Sequence, residues 1–288
     1  MDPFISALLY LFLAPAAGCL LTGLDRRITA RLQGRQGPPL LQPYYDFIKL
    51  LRKEAVVVNS VQNFLVWGFL VFIMFTGALF FYGGDILLVF FALTLAEIFF
   101  IMSACSASSP YSSMGAQREL VQIMAYEPMF LLTAIGFYMA TGSFQVGSII
   151  QNTASPVLYL PGVFFGFIFI LTIKLRKSPF DLSTSHHAHQ EMVKGLTTEL
   201  SGSILALVEL SHWYENTFLI SIVGLFIINS EWWSKLAAFA VCLLAYFLEV
   251  LADNTFARVK WQVMLQSAWL VTLIAGVSNI LILSLIHK

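Results

Sequence analysis

The sequence predicts an all-α polytopic membrane protein, with about eight transmembrane helices and an amphipathic cytoplasmic helix in one integral membrane domain over residues 1–288. Three observations carry this. Hydrophobic residues make up 58% of the chain and charged residues 11%, with a mean hydropathy of +0.80. A soluble domain of this length could not bury so much apolar surface in one core. Apolar runs recur at the length of about 20 residues that a helix needs to cross roughly 30 Å of hydrocarbon. The basic residues, finally, fall almost wholly on one side of those runs.

The first span is Phe4–Leu24. It contains Ala16-Ala17-Gly18-Cys19, which looks like a lipoprotein cleavage site. A signal peptide carries its positive charge before the apolar region, whereas here Arg26 and Arg27 follow it, so this segment is expected to stay as a membrane helix. In the loop 25–63, Gly34-Arg35-Gln36-Gly37-Pro38-Pro39 forms a non-helical turn, because each proline fixes φ and disfavours helix in the residue before it. Leu40–Lys53 then alternates at helical spacing, with Phe47, Leu50 and Leu51 on one face and Asp46, Lys49 and Lys53 on another. That pattern fits an interfacial amphipathic helix, a docking surface for a soluble partner, or both.

The next spans are Phe64–Tyr82, Ile86–Ala104 and Leu120–Ala140. In the last of these Pro128 weakens the backbone ladder next to Glu127 and could admit water. Val157–Ile173 is followed by the loop 174–200, and then come Ser201–Ile228, Leu236–Leu251 and Val263–Ile286. Trp232-Trp233 read as an anchor at the outer interface. The 26 phenylalanines are taken as lipid-facing or packing residues.

Placing the loops after spans one, three, five and seven in the cytoplasm puts all of the 16 Lys and Arg there except Lys235 and Lys288. Both termini are then outside, the two long loops are cytoplasmic, and the chain is expected in a prokaryotic plasma membrane.

Carboxylates interrupt these apolar runs. Glu97, Glu127, Glu209, Glu215, Glu249 and Asp253 lie within or at the ends of spans. A carboxylate at a helix centre costs roughly 2.5–3.5 kcal/mol on insertion scales and usually faces a protein interior or a water-filled path. Glu249 and Asp253, four apart, share a helix face. Glu209, His212 and Glu215, three apart in turn, make an oblique polar strip. Glu119 and Glu231, near span ends, are expected to be solvated. Such acids suit moving charge through a membrane, since neighbouring buried carboxylates resist ionising together and one can take up a proton as the other changes state.

The loop 174–200 holds His186, His187 and His189 beside Glu191. Adjacent histidines point apart and no complete ligand set is evident, so a proton-responsive or partner-facing role is favoured over a metal. Cys19, Cys105 and Cys242 are scattered and form no paired motif, which leaves no iron–sulfur or zinc site encoded by cysteine. Nothing points to nucleic acid.

These residues carry a resemblance. Arg118 to Glu127, ending in Tyr126-Glu127, is similar to a segment of the membrane subunit of respiratory complex I that is designated H. Pro179-Phe180-Asp181-Leu182 matches that family's Pro-Phe-Asp-Leu signature, and Glu191, Gly195 and Glu199 match its Glu…Gly…Glu pattern. Gly34-Arg35 through Gln42-Pro43 with Lys49-Leu50-Leu51 looks like its first cytoplasmic loop, and Arg258 with Lys260 and Trp261 like its basic-aromatic segment. The respiratory form is acidic just after Pro-Phe-Asp-Leu, where this chain has Ser183 to His189, and it carries a glutamate that is replaced around His212 here. These departures, with the stretch from Glu191 through Glu199 and Trp213-Tyr214-Glu215-Asn216, look more like the membrane subunit of Ech-type energy-converting [NiFe] hydrogenases.

The resemblance implies a subunit with no redox centre of its own. The [NiFe] centre and iron–sulfur clusters are expected in partners: soluble hydrogenase large and small subunits, an iron–sulfur subunit and an antiporter-like membrane subunit, with ferredoxin as the indirect electron source. It implies that hydrogen evolution is coupled to export of protons or sodium, through this chain or a neighbour. Glu97, Glu127, Glu199, Glu209, His212, Glu215, Glu249 and Asp253 are the residues expected to serve that coupling. Arg35, Asp181, His186, His187, His189, Glu191 and Arg258 are expected to dock or couple the soluble arm. Three other readings compete: the quinone-site subunit of a respiratory dehydrogenase, an independent channel or carrier, for which no inverted repeat is found, and an anchor without an ion path.

Overall fold

The structure, a computed structural model, describes residues 2–54, 59–183 and 194–286. The described residues are helical throughout apart from turns and one isolated bridge, Asp85 to Gln145. The long helices are α1 (Pro3–Leu32), α3 (Ser60–Tyr82), α4 (Ile86–Cys105), α5 (Pro110–Thr141), α7 (Pro161–Lys174), α8 (Gly202–Leu225), α9 (Trp232–Thr255) and α10 (Trp261–Ile286). The short helices are α2 (Gln42–Leu51) and α6 (Val146–Ile150).

Six of these, α1, α3, α4, α5, α9 and α10, are long and apolar enough to cross a membrane. The chain is a multi-pass membrane protein, but the expectation of about eight spans needs two qualifications. Helix α7 is apolar yet only 14 residues long. Helix α8 has 24 residues, with Glu209, His212, Glu215 and Asn216 along it, and too little hydropathy to qualify on composition alone. It sits in the middle of the bundle against α1, α2, α3 and α9, and that protein environment, rather than lipid, accommodates its polar groups.

Helix starts follow local chemistry. The Asn59 side chain accepts from the Val61 amide at 3.0 Å to cap α3, and Asp85 accepts from Leu87 at 2.8 Å to cap α4. Helix α7 has no such residue of its own. Its first amides, at Gly162 and Val163, instead donate at 3.0 and 3.2 Å to the Asn279 carboxamide oxygen on α10. Close approach makes this reach feasible: a Cβ on Gly162 would lie 2.5 Å from the Ala275 carbonyl oxygen. The same stretch of α10, Thr272–Val277, is a widened π-helical turn. Replacing Asn279 by Leu is expected to lower stability by about 0.5–2 kcal/mol, the range for a lost helix cap. A thermal melt of the purified protein checks this, and an unchanged midpoint would mean that water caps α7 instead.

Two boundaries move in an informative way. Helix α1 runs on to Leu32, absorbing the first part of the loop 25–63. Helix α5 begins at Pro110, so Glu119 lies inside the helix and is buried, 2% exposed, and not solvated as its place at a span end suggests. Helix α2 falls where the amphipathic pattern placed it and rests on α1 and α8. Phe47 packs on Trp213, with ring centroids 5.2 Å apart. Arg26 pairs with Asp46 at 2.7 Å. Partial burial pushes the Asp46 carboxyl up, but the bonds from Arg26 and Gln42 outweigh it and hold it below the usual carboxylate range.

Candidate functional site

The site is built around the end of α7. Lys174 is its last residue and Arg176 follows two positions on, at a left-handed φ of 53°. A non-glycine residue costs about 1–2 kcal/mol in that region, and here it turns the guanidinium back among the helices. Lys174 Nζ lies 2.6 Å from Glu97 Oε1 on α4 and 2.7 Å from Glu215 Oε1 on α8. It also donates toward the Tyr126 hydroxyl at 3.4 Å. Arg176 Nη2 lies 2.9 Å from Glu119 Oε1 and 3.2 Å from Glu97 Oε2. Burial works against the Arg176 charge, but Glu119, Glu97 and Glu215 outweigh that penalty and hold the guanidinium above its usual value.

His212 completes the group. Its Nδ1 is 3.2 Å from Glu215 Oε2, and both ring nitrogens are 3.3 Å from Arg176 Nη1. The rings of Phe69 and Phe100 stand edge-on to it at 5.9 and 5.7 Å. A neutral imidazole with its proton on Nδ1 donates to Glu215 and accepts from Arg176 at Nε2. A protonated one loses that second bond, because Nε2 then becomes a donor. Three carboxylates thus face two permanent cations, and one proton on His212 or on a carboxylate brings the cluster to neutrality.

The segment that continues from Arg176 is pinned at several points. Lys177 Nζ pairs with Asp25 of α1 at 2.6 Å and lies 3.9 Å from Asp253 of α9. The Ser178 amide donates to Asp253 Oδ1 at 2.8 Å. The Phe180 carbonyl accepts from Gln122 at 2.7 Å, and the Asp181 carbonyl accepts from Arg258 at 2.7 Å. Arg258 also pairs with the Asp181 carboxylate at 3.3 Å. Pro-Phe-Asp-Leu is therefore the joint between α5 and the connection from α9 to α10. Glu249, one turn from Asp253, is 1% exposed and its Oε2 has no hydrogen-bond partner among the described residues.

The expected site residues separate into groups. Glu97, His212 and Glu215 meet in one cluster, while Glu249 and Asp253 lie by the second, around Lys177. Glu127 and Glu209 are half-buried and join neither cluster, and along α8 the side-chain contact runs from His212 to Glu215. Glu199 lies half-buried in the loop before α8, just after Gly195-Leu196, which presses on α5: a Cβ on Gly115 would be 2.7 Å from the Leu196 amide. Arg35 is exposed and bonds Gln33 at 2.9 Å. His186, His187, His189 and Glu191 lie outside the described residues. Among the described residues no three His, Cys, Asp or Glu side chains are placed to share a metal ion. Sequence reasoning missed Lys174, Arg176, Lys177, Asp25 and Glu119. The available signal was the carboxylates themselves, since buried charges need partners.

An all-helical membrane bundle with internally paired charges and a stapled polar loop defines a class of polytopic membrane subunit built to hold charge in its interior. A family model for NADH dehydrogenase matches residues 5–284, and the chain belongs to that family, the H/1 membrane-subunit family of NADH dehydrogenase. It is 28% identical to hydrogenase-4 component C of Escherichia coli K12, over 92% of this chain and 90% of that one. It is 30% identical to formate hydrogenlyase subunit 4 of the same organism, over 70% and 68% of the two chains. The H subunit of the NADH-quinone oxidoreductase of Dehalococcoides mccartyi strain 195 is also 30% identical, over 67% and 59%. A chain of the archaeal membrane-bound sulfane sulfur reductase superposes with a TM-score of 0.84 at 20% identity, covering 97% of this chain and 100% of that one, which establishes a shared fold. Membership makes this a membrane subunit of an oxidoreductase complex.

Proposed function

We propose that this chain is the non-redox membrane subunit of a ferredoxin-dependent energy-converting [NiFe] hydrogenase, coupling hydrogen evolution to translocation of protons or sodium. In this reading the nickel–iron centre and the iron–sulfur clusters belong to soluble partner subunits that sit on the basic end of the bundle, in the cytoplasm. An antiporter-like membrane subunit receives the signal, and both termini lie outside. The observation that carries the reading is the continuity of one segment. Lys174 to Leu182 plants two cations among buried carboxylates at one end and is stapled to Asp25, Asp253 and Arg258 at the other.

Any displacement of that segment by a docked partner changes the distance between Lys174 or Arg176 and Glu97, Glu119 or Glu215. In a low-dielectric interior the cluster then gains or releases a proton to restore its balance, with His212 placed to carry it. The long matches to hydrogenase-4 component C and formate hydrogenlyase subunit 4 support the hydrogenase assignment. The match to the NADH-quinone oxidoreductase H subunit keeps a second reading in view, that of a quinone-site subunit.

Ferredoxin-dependent hydrogen evolution and ion uptake, measured together in inverted vesicles, test the proposal with Glu215→Gln and Glu209→Gln against wild type. The expected result for Glu215→Gln is an assembled complex in which ion uptake is lost, either alone or together with hydrogen evolution. Unchanged activities in both variants would remove these acids from the path. Absence of hydrogen evolution in wild type, with bound quinone in the purified complex, would replace the hydrogenase reading with the quinone one.

A further inference from the structure

At the end of the bundle away from the basic loops lies a cleft of about 550 Å³ that the charge clusters do not use. It is bounded by the start of α1, the end of α3, α6, the end of α8 and the first turns of α9. Its volume falls within the roughly 300–1,000 Å³ of small-molecule sites. Phe81 and Phe239 line it together with Gly147 and Gly224; a Cβ on Gly147 would meet only the Gly83 backbone, at 3.6 and 3.8 Å. Lys235 and Gln151 are at the rim, both exposed. Among the described residues neither side chain makes a hydrogen bond or ion pair.

We propose that this cleft holds one acyl chain of a phospholipid whose anionic headgroup sits on Lys235. The surrounding solvent decides the first half. The cleft opens beside α1 and α9, two helices that present much of their apolar surface outward. An apolar hollow at that surface is filled by hydrocarbon, since lipid tails are the medium there and water gains few partners. Charge decides the second half. Lys235 is one of only two Lys or Arg outside the basic loops, and it lies one turn into α9 from the stacked pair Trp232–Trp233, whose rings are 3.8 Å apart. Tryptophans of that kind mark headgroup level. A lysine there extends its ammonium to phosphate while its stem lies along the chain below. Gln151 then offers amide donors to the glycerol ester oxygens from the opposite rim.

The test uses the purified complex in nanodiscs carrying a trace of phosphatidylglycerol with a photoactivatable diazirine in its tail. Adducts are mapped by mass spectrometry while unlabelled phosphatidylglycerol or phosphatidylcholine competes. The expected result is a saturable adduct on the peptides of Phe81 and Phe239. Phosphatidylglycerol should displace it about fivefold better than phosphatidylcholine, the ratio that one lysine's attraction to an anionic lipid amounts to. Lys235→Gln should abolish that preference while the adduct remains, and Gly147→Leu, whose Cβ meets only ordinary contacts, should diminish the adduct by filling the cleft. Labelling spread over α9 and α10 in proportion to lipid content would overturn the proposal. So would equal competition by both lipids in wild type, or a partner-subunit peptide captured by a crosslinker placed at Phe239.

Discussion

Lys174→Met is expected to lower the stability of the purified protein by roughly 3–5 kcal/mol, the range for breaking a buried ion pair by removing one partner. Among the described residues Lys174 is the sole cation within ion-pair distance of Glu215 apart from His212, and it shares Glu97 with Arg176. Methionine has nearly the same volume and no charge, so the loss reports electrostatics rather than a cavity. The double variant Lys174→Met with Glu215→Gln removes one charge of each sign, which restores the cluster's original net charge, and should recover more than half of the deficit. Thermal unfolding followed by tryptophan fluorescence reads both. A single variant as stable as wild type would show that water, and not lysine, solvates Glu97 and Glu215.

The same balance of charge explains why this cluster is better suited to switching than to holding the fold together. A buried pair gains little net stability once desolvation is counted, and an apolar replacement of the whole group is often neutral. What it gives is sensitivity: each partner's charge state depends on the others at 2.6–3.3 Å. His212 responds in geometry as well as charge, because protonation at Nε2 removes its acceptor for Arg176. Arg176 is held by both Glu119 and Glu97, so its movement would be felt on α4 and α5 together.

Much of this was legible in the sequence, and the limits have a physical cause. Apolar runs located every long helix, because membrane insertion reads local hydrophobicity over about 20 residues. The alternation of Phe47, Leu50 and Leu51 located α2 for the same reason. The buried acids stood out as anomalies within those runs. Their partners did not: Lys174 and Arg176 look like ordinary topogenic residues after a span, and Glu119 looks like a solvated end. Pairing joins residues 77 apart for Lys174 with Glu97 and 57 apart for Arg176 with Glu119, which no local window contains. The left-handed turn at Arg176 that aims its side chain inward has no sequence marker, since arginine is a poor choice for that backbone. The short length of α7 and the polarity of α8 likewise become sensible only when their neighbours are in place.

Gly18→Leu is expected to separate α1 from α8, a packing effect that also reaches the charge cluster. A Cβ at Gly18 would lie 2.3 Å from the Trp213 carbonyl oxygen and 2.6 Å from its Cα, so the obstacle is backbone and cannot swing aside. The contact is of the small-residue kind that lets membrane helices approach closely. Ala14 is buried beside it, and the Thr217 hydroxyl donates to the Ala14 carbonyl at 3.1 Å. Tyr214 donates to the Leu11 carbonyl at 2.7 Å. Overpacking costs typically about 1–3 kcal/mol, and more where backbone must move. Trp213 lies between His212 and Glu215 in sequence, so a shift of α8 large enough to admit leucine also carries the histidine and the carboxylate away from Lys174 and Arg176. Gly18→Leu should therefore lower the melting temperature and, under the proposed function, uncouple ion uptake in whatever protein remains assembled. Ala16→Leu, on the exposed face of α1, serves as the control and should stay within about 0.5 kcal/mol of wild type. Equal behaviour of the two variants would mean that α1 and α8 do not meet at Gly18, and the position assigned to His212 would fall with that contact.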